Sequence, residues 1–150
     1  MKKIILNIFL FLILSNCGYS PILITNIQDF DIQIQTVEGD RLINNLIVSQ
    51  LNRNKNDQSE NKINIDINTK YKKTIYSKDS TGATASYELN VVSEFNINKK
   101  DINQKIVITE KFIMNKNENA FDENNYERTI KQTFASSIAQ KITLKLNSIK

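Results

Sequence analysis

From Ala83 to Ile97 the chain reads ATASYELNVVSEFNI, and Ala83, Ala85, Tyr87, Leu89, Val91, Phe95 and Ile97 recur at a period of two. Side chains alternate across a strand, so this pattern predicts a long strand with one apolar and one polar face. Working upstream, Ile63, Ile65, Ile67 and Tyr71 alternate with Asn64, Asp66, Asn68 and Lys70. Downstream, Ile106, Ile108, Phe112 and Met114 make another strand of the same kind. Ser77 to Gly82 supplies a turn before the long strand, and Asn98-Lys99-Lys100-Asp101 a hairpin turn after it. Three strands joined by short connections form an antiparallel meander. A further strand is expected earlier, where Phe30, Ile32 and Ile34 alternate with Asp31, Gln33 and Gln35.

The remaining apolar residues keep a helical rhythm. Gly39-Asp40 breaks the first strand, and Asp40 is placed to cap a helix beginning at Arg41. Leu42, Ile43, Leu46, Ile47 and Leu51 then predict an amphipathic helix over 41–53, with a polar surface loop over 54–62. Near the C-terminus, Tyr126, Ile130, Phe134, Ile138, Ile142 and Leu146 are four apart, with Ala135 and Ala139 beside them. Such a stripe drifts slowly round a helix and suits packing across a twisted sheet. Asp122 or Asn124 is the expected cap, and Glu123 and Glu127 favour the positive end. The expected fold is therefore α+β, in the order β-α-β-β-β-α. It is a two-layer sandwich, a four-stranded mostly antiparallel sheet with two helices on one face, occupying residues 27–150.

The N-terminus reads differently. Lys2 and Lys3 precede Ile4 to Leu14, a run that is apolar except for Asn7. It falls well short of the roughly 20 residues needed to cross about 30 Å of hydrocarbon, and reads as the core of a secretory signal. Leu14-Ser15-Asn16-Cys17 resembles a lipobox, with Asn16 where Gly, Ala or Ser is usual. The expectation is a signal peptide over 1–16, lipid on Cys17 and a tether over 17–26. Cys17 is the only cysteine of the chain, so lipidation accounts for a thiol that no internal disulfide could use. Gly18, rather than the Asp that often retains lipoproteins in the inner membrane, favours the outer membrane.

Composition narrows function further. Loss of residues 1–16 leaves 134 residues, enough for one domain with its own core. It also removes Lys2 and Lys3, leaving 18 basic against 16 acidic residues, a balance of +2. That is too even for a nucleic-acid binder. There is no His, and the one Cys is assigned to lipid, so the usual zinc ligands and His-dependent catalysis are missing. The sequence reads as non-enzymatic, with no metal and no cofactor. Paired acids such as Asp29 with Asp31 and Asp122 with Glu123 read as solvation and capping.

Several stretches resemble the LPS-assembly lipoprotein LptE family. Cys17-Gly18-Tyr19-Ser20-Pro21-Ile22 looks like that family's start, and Gly39 to Leu46 with Leu51-Asn52-Arg53 like its first helix. Tyr76 to Leu89 resembles its hairpin between second and third strands. Asn119-Ala120-Phe121, Tyr126-Glu127-Arg128 and Ala139-Gln140-Lys141-Ile142 resemble its closing loop and helix. The resemblance implies a lipoprotein on the outer membrane that plugs and helps assemble the LptD β-barrel and aids delivery of lipopolysaccharide to the outer leaflet. The implied partners are LptD, lipopolysaccharide and the membrane. Many relatives carry a basic residue just before the Tyr-x-Leu, where this chain has Ala85-Ser86.

Other cations are then needed for phosphates or for the barrel wall, and Lys70, Lys72, Lys73 and Lys78 are the candidates. Alternation puts Lys70 and Lys72 on one face and Lys73 on the other. The plainer reading is a solvated edge whose lysines discourage aggregation. A different function that fits the same features is an auxiliary lipoprotein of an ABC-type lipid transporter. The anchor is directly testable: Cys17→Ala should abolish incorporation of labelled palmitate and release the protein from membranes. Retained label would remove the lipoprotein reading.

Overall fold

A computed structural model describes residues 31–53, 56, 59–100 and 102–148. The expected signal peptide over 1–16 and tether over 17–26, with Cys17, Asp29 and Phe30, lie outside the described residues. Among the described residues six elements succeed one another: β1 (Asp31–Gly39), α1 (Arg41–Arg53), β2 (Lys62–Lys78), β3 (Thr84–Lys99), β4 (Ile102–Asn115) and α2 (Ala120–Ser148). The four strands form one sheet in the order β1-β2-β3-β4. β1 runs parallel to β2, and the β2–β3 and β3–β4 hairpins are antiparallel. This is the expected α+β order, with α1 as the crossover between the parallel pair.

The period of two sets the layers. Ile63, Ile65 and Ile67 of β2, Leu89, Val91, Phe95 and Ile97 of β3, and Ile106, Ile108 and Met114 of β4 are buried on one face. Cross-strand rows such as Ile67–Phe95–Ile106 run the width of the sheet. Ile43, Ile47 and Leu51 of α1 and Ile130, Phe134, Ile138, Ile142 and Leu146 of α2 join the same cluster. Both helices therefore cover one face, and among the described residues the opposite face of the sheet carries no helix. Thr69 and Ser93 face each other within this core, and their hydroxyls bond at 2.8 Å and so satisfy each other.

Some expectations need correcting. β2 continues through Lys78 instead of turning at Ser77, because Ser77 and Ser86 bond across the ladder at 2.6 Å and extend the hairpin. A bulge between Ile75 and Ser77 marks the change of register. Ala83 and Ala85 are exposed, since no helix reaches that far along the hairpin. Phe112 and Tyr126 are also outside the core; their rings meet edge to face, with centroids 6.2 Å apart at the margin of the helix layer. α2 begins at Ala120, capped by Asn119 rather than by Asp122 or Asn124. The Asn119 side chain accepts from the Phe121 N–H at 2.9 Å, closing the first turn earlier than the apolar stripe indicates.

The β1–α1 junction needs Gly39. Its φ is +96°, and a Cβ there would stand 1.9 Å from the Thr69 carbonyl oxygen. That carbonyl also accepts from the Asp40 N–H at 2.9 Å, so it cannot simply move aside. Gly39→Ala should destabilise the domain by about 3 kcal/mol or more, read as a lower urea midpoint. An unchanged midpoint would mean that the junction tolerates another geometry. Gly82 also has a positive φ, of 84°, but nothing lies within 4 Å of its would-be Cβ, so Gly82→Ala is the milder comparison.

Candidate functional site

The four candidate lysines are not one cluster. Strand alternation sends Lys70 and Lys72 to the uncovered face of the sheet and Lys73 under α2, while Lys78 ends β2 at the hairpin tip. On the uncovered face Lys70 lies in register with Val92 and Thr109, and Lys72 with Asn90 and Lys111. Around them are Asn64, Asp66, Asn68, Asn96 and Asn98, so this face is polar over most of its length. Lys105 bonds Glu94 at 2.9 Å, and Lys111 reaches Glu88 at 3.4 Å. The hydrogen bond from Lys105, its charge and the charge of Lys70 hold the Glu94 carboxyl below the usual range. Asn90 Oδ1 is a buried acceptor with no hydrogen-bond partner, set in register between Lys72 and Lys111.

Lys73 has a different role. Its Nζ bonds Glu123 Oε1 at 2.8 Å and Glu127 Oε2 at 2.9 Å, and lies 4.3 Å from the centre of the Tyr87 ring. The Tyr71 hydroxyl donates to Glu127 Oε1 at 2.7 Å. Lys131 sits 3.8 Å above the Tyr71 ring and bonds Asp40 Oδ2 at 2.9 Å. Asp40 in turn accepts from the Ile43 N–H at 3.1 Å as the cap of α1. A continuous polar chain thus links β2, α1 and α2, and Lys73 is engaged as a strut rather than offered to a ligand.

Electrostatics agree with that role. Burial alone would raise the Asp40 and Glu127 carboxyls, but their hydrogen bonds and cations outweigh it and hold both below the ordinary value. Glu123 is held down by the Lys73 hydrogen bond, against a smaller opposing effect of burial. Burial would lower the Lys73 ammonium, yet Glu123 and Glu127 raise it overall. Burial and the adjacent Glu127 push the Tyr71 phenol upward, so it stays protonated and keeps donating.

The hairpin end has another character. Ile75 is 55% exposed, Tyr76 57% and Phe121 71%, and Phe112, Ile113 and Tyr126 are also exposed at this end of the sheet and helix. Lys78 is the last residue of β2, at the same end of the sheet. The tip itself is fixed by Asp79, whose Oδ1 accepts from the N–H groups of Thr81 and Ala83 and from the Thr81 hydroxyl. Phe112 is on the helix side of the ladder and Ile113 on the other, so this end of the domain exposes apolar side chains on both faces of the sheet. Sequence reading missed this exposed rim: Ile75 and Phe112 share the parity of core residues, and their place at the margin of the packed layers leaves them exposed. Among the described residues no three His, Cys, Asp or Glu side chains gather in a metal-binding arrangement.

No protein-family model and no curated protein matches the chain. Solved structures do share the fold. Rare lipoprotein B from Shewanella oneidensis superposes with a TM-score of 0.61 at 17% identity, covering 77% of this chain and 94% of that one. A protein from Caulobacter crescentus described as a lipoprotein gives 0.53 at 11% identity, covering 78% and 88% respectively. At these identities the likeness is one of fold.

The polar chain makes stability depend on pH. Asp40, Glu123 and Glu127 have folded values below their unfolded ones, so their contribution is complete above the unfolded carboxylate range, near pH 4. It is lost as pH falls through that range toward the folded values. Glu127→Gln should cost about 1–2 kcal/mol at pH 7 and should flatten the loss of stability between pH 5 and pH 3. Urea melts across that window test both; an equally steep decline in the variant would contradict the assignment.

Proposed function

We propose that the chain is an LptE-like outer-membrane lipoprotein, anchored through Cys17, that plugs the LptD barrel, aids its assembly and helps pass lipopolysaccharide to the outer leaflet. The observation that carries the reading is the polar, uncovered sheet face. A polar sheet face suits water, and it also suits the interior of a large outer-membrane barrel, which is polar and which an insert must match. Asn, Asp, Glu and Lys side chains on that face offer donors and acceptors to such a wall, with Lys70 and Lys72 available to acidic groups there.

Two further features support the reading. The fold is shared with bacterial lipoproteins, including rare lipoprotein B. The hairpin end of the domain exposes Ile75, Tyr76, Phe112 and Phe121 and carries Lys78, which supplies both apolar surface and a cation of the kinds that acyl chains and phosphates of lipopolysaccharide require. A lipid leash also raises the local concentration of the domain near a barrel in the same membrane.

Affinity purification of the tagged, lipidated protein from detergent-solubilised envelopes should return one large outer-membrane barrel in a one-to-one ratio. An inner-membrane transporter in its place would move the protein to the ABC-type assembly. Recovery of neither would sink both readings.

A further inference from the structure

The sheet has two edges, and they are built differently. β1 is nine residues long and its pairing is interrupted between Ile34 and Thr36. Its polar side chains turn back to β2: Gln35 donates to Asn64 at 3.1 Å and Thr36 to Asp66 at 2.6 Å. β4 is fourteen residues long, contains neither Pro nor Gly, and pairs with β3 from Ile102 to Asn115 without a register shift. Among the described residues no strand lies on its outer side. A long, regular, unprotected edge is a template for another strand.

Edge lysines normally blunt such a template. Here they are drawn inward: Lys105 bonds Glu94 and Lys111 reaches Glu88, both on β3. On the helix side, Lys141 and Ser137 bond Glu110 at 2.6 and 2.7 Å. A groove of about 400 Å³ then opens between β4 and the last turns of α2, lined by Val107, Ile108, Thr109, Lys141, Leu144 and Lys145. Val107 and Leu144 are about half exposed. Lys145 is exposed and forms no ion pair among the described residues.

From these observations we infer that the outer edge of β4, with the groove it shares with α2, is the seat of an extended segment from the protein's partner that presents an apolar residue and, two positions away, a carboxylate. The main chain of that segment adds a fifth strand to the sheet. Its side chains on the helix face alternate, so one enters the groove against Leu144 while the next reaches Lys145. The cationic rim decides the occupant's charge. A second copy of this chain fits poorly, because a two-fold pairing of β4 centred on the groove would bring the two copies' Lys141 and Lys145 ends together. The inference rests on the reading of this chain as a subunit of an envelope assembly, and it adds where the partner's strand lies.

The test places a photo-crosslinking amino acid at Val107 and, separately, at Leu144 in the full lipidated protein in its own cells. The crosslinked peptides are then sequenced. Both positions should capture the same short segment of a single other protein, within a few residues of each other. Lys145→Glu should lower the yield at Val107 at least fivefold while Lys145→Arg retains it, with thermal melts showing that both variants fold. Adducts to a second copy, to residues 17–30 of the same chain, or to scattered sites would overturn the inference. So would no adduct in preparations where the barrel co-purifies, and that result would leave the proposed function standing. Conversely, capture of one acidic strand from a protein that is not a barrel would keep the strand seat and remove the plug.

Discussion

Asp40 holds the two layers of this fold in register. Its backbone N–H bonds the Thr69 carbonyl of β2, its Oδ1 caps α1 through the Ile43 N–H, and its Oδ2 bonds Lys131 of α2. One short side chain therefore fixes the start of the first helix, its distance from the sheet and its position against the second helix. The acid works only because Gly39 lets the chain turn there, since any Cβ would collide with the same carbonyl. From Lys131 the polar chain continues over the Tyr71 ring to Glu127 and Lys73. Partly buried charges of this kind add little net stability against an apolar alternative, but breaking one leaves its partner unpaired. They act as a lock on geometry, while the isoleucine-rich core supplies the burial.

Much of this was legible in the sequence, and the reason is periodicity. Ile63, Ile65 and Ile67, then Leu89 to Ile97, declare a sheet with one wet face. The four-residue spacing from Ile130 to Leu146 declares the helix that covers the other. Asp40 was legible as a cap because a glycine and then an acid precede an amphipathic run. Where each element stops was less so. Hydrogen bonding across the Ser77–Ser86 pair carries β2 farther than its apolar pattern does, and Asn119 starts α2 before the stripe begins.

The candidate lysines divide along the same line. Alternation correctly separates Lys73 from Lys70 and Lys72, which is a local property of one strand. That Lys73 is bound by Glu123 and Glu127, fifty and more residues away, is a tertiary fact with no local signature. The exposed rim near the hairpin tip is hidden for a related reason. Ile75, Phe112 and Tyr126 have the pattern of core residues, and their place at the margin of the packed layers, a tertiary fact, leaves them exposed.

The two ends of the sheet differ in what they carry. β1 begins at Asp31 beside Lys62, at the end of the sheet opposite the β2–β3 hairpin tip. Seventeen residues of β2 span about 55 Å at roughly 3.3 Å each. Thirteen residues lie between Cys17 and Asp31, and the fourteen steps reach at most about 50 Å when fully extended. A lipid on Cys17 would therefore hold the Asp31 end by its leash, leaving the aromatic rim at the far end and the polar face along the whole length between. The uncovered face is an extended polar surface, because β2, β3 and β4 keep their alternation over seventeen, sixteen and fourteen residues.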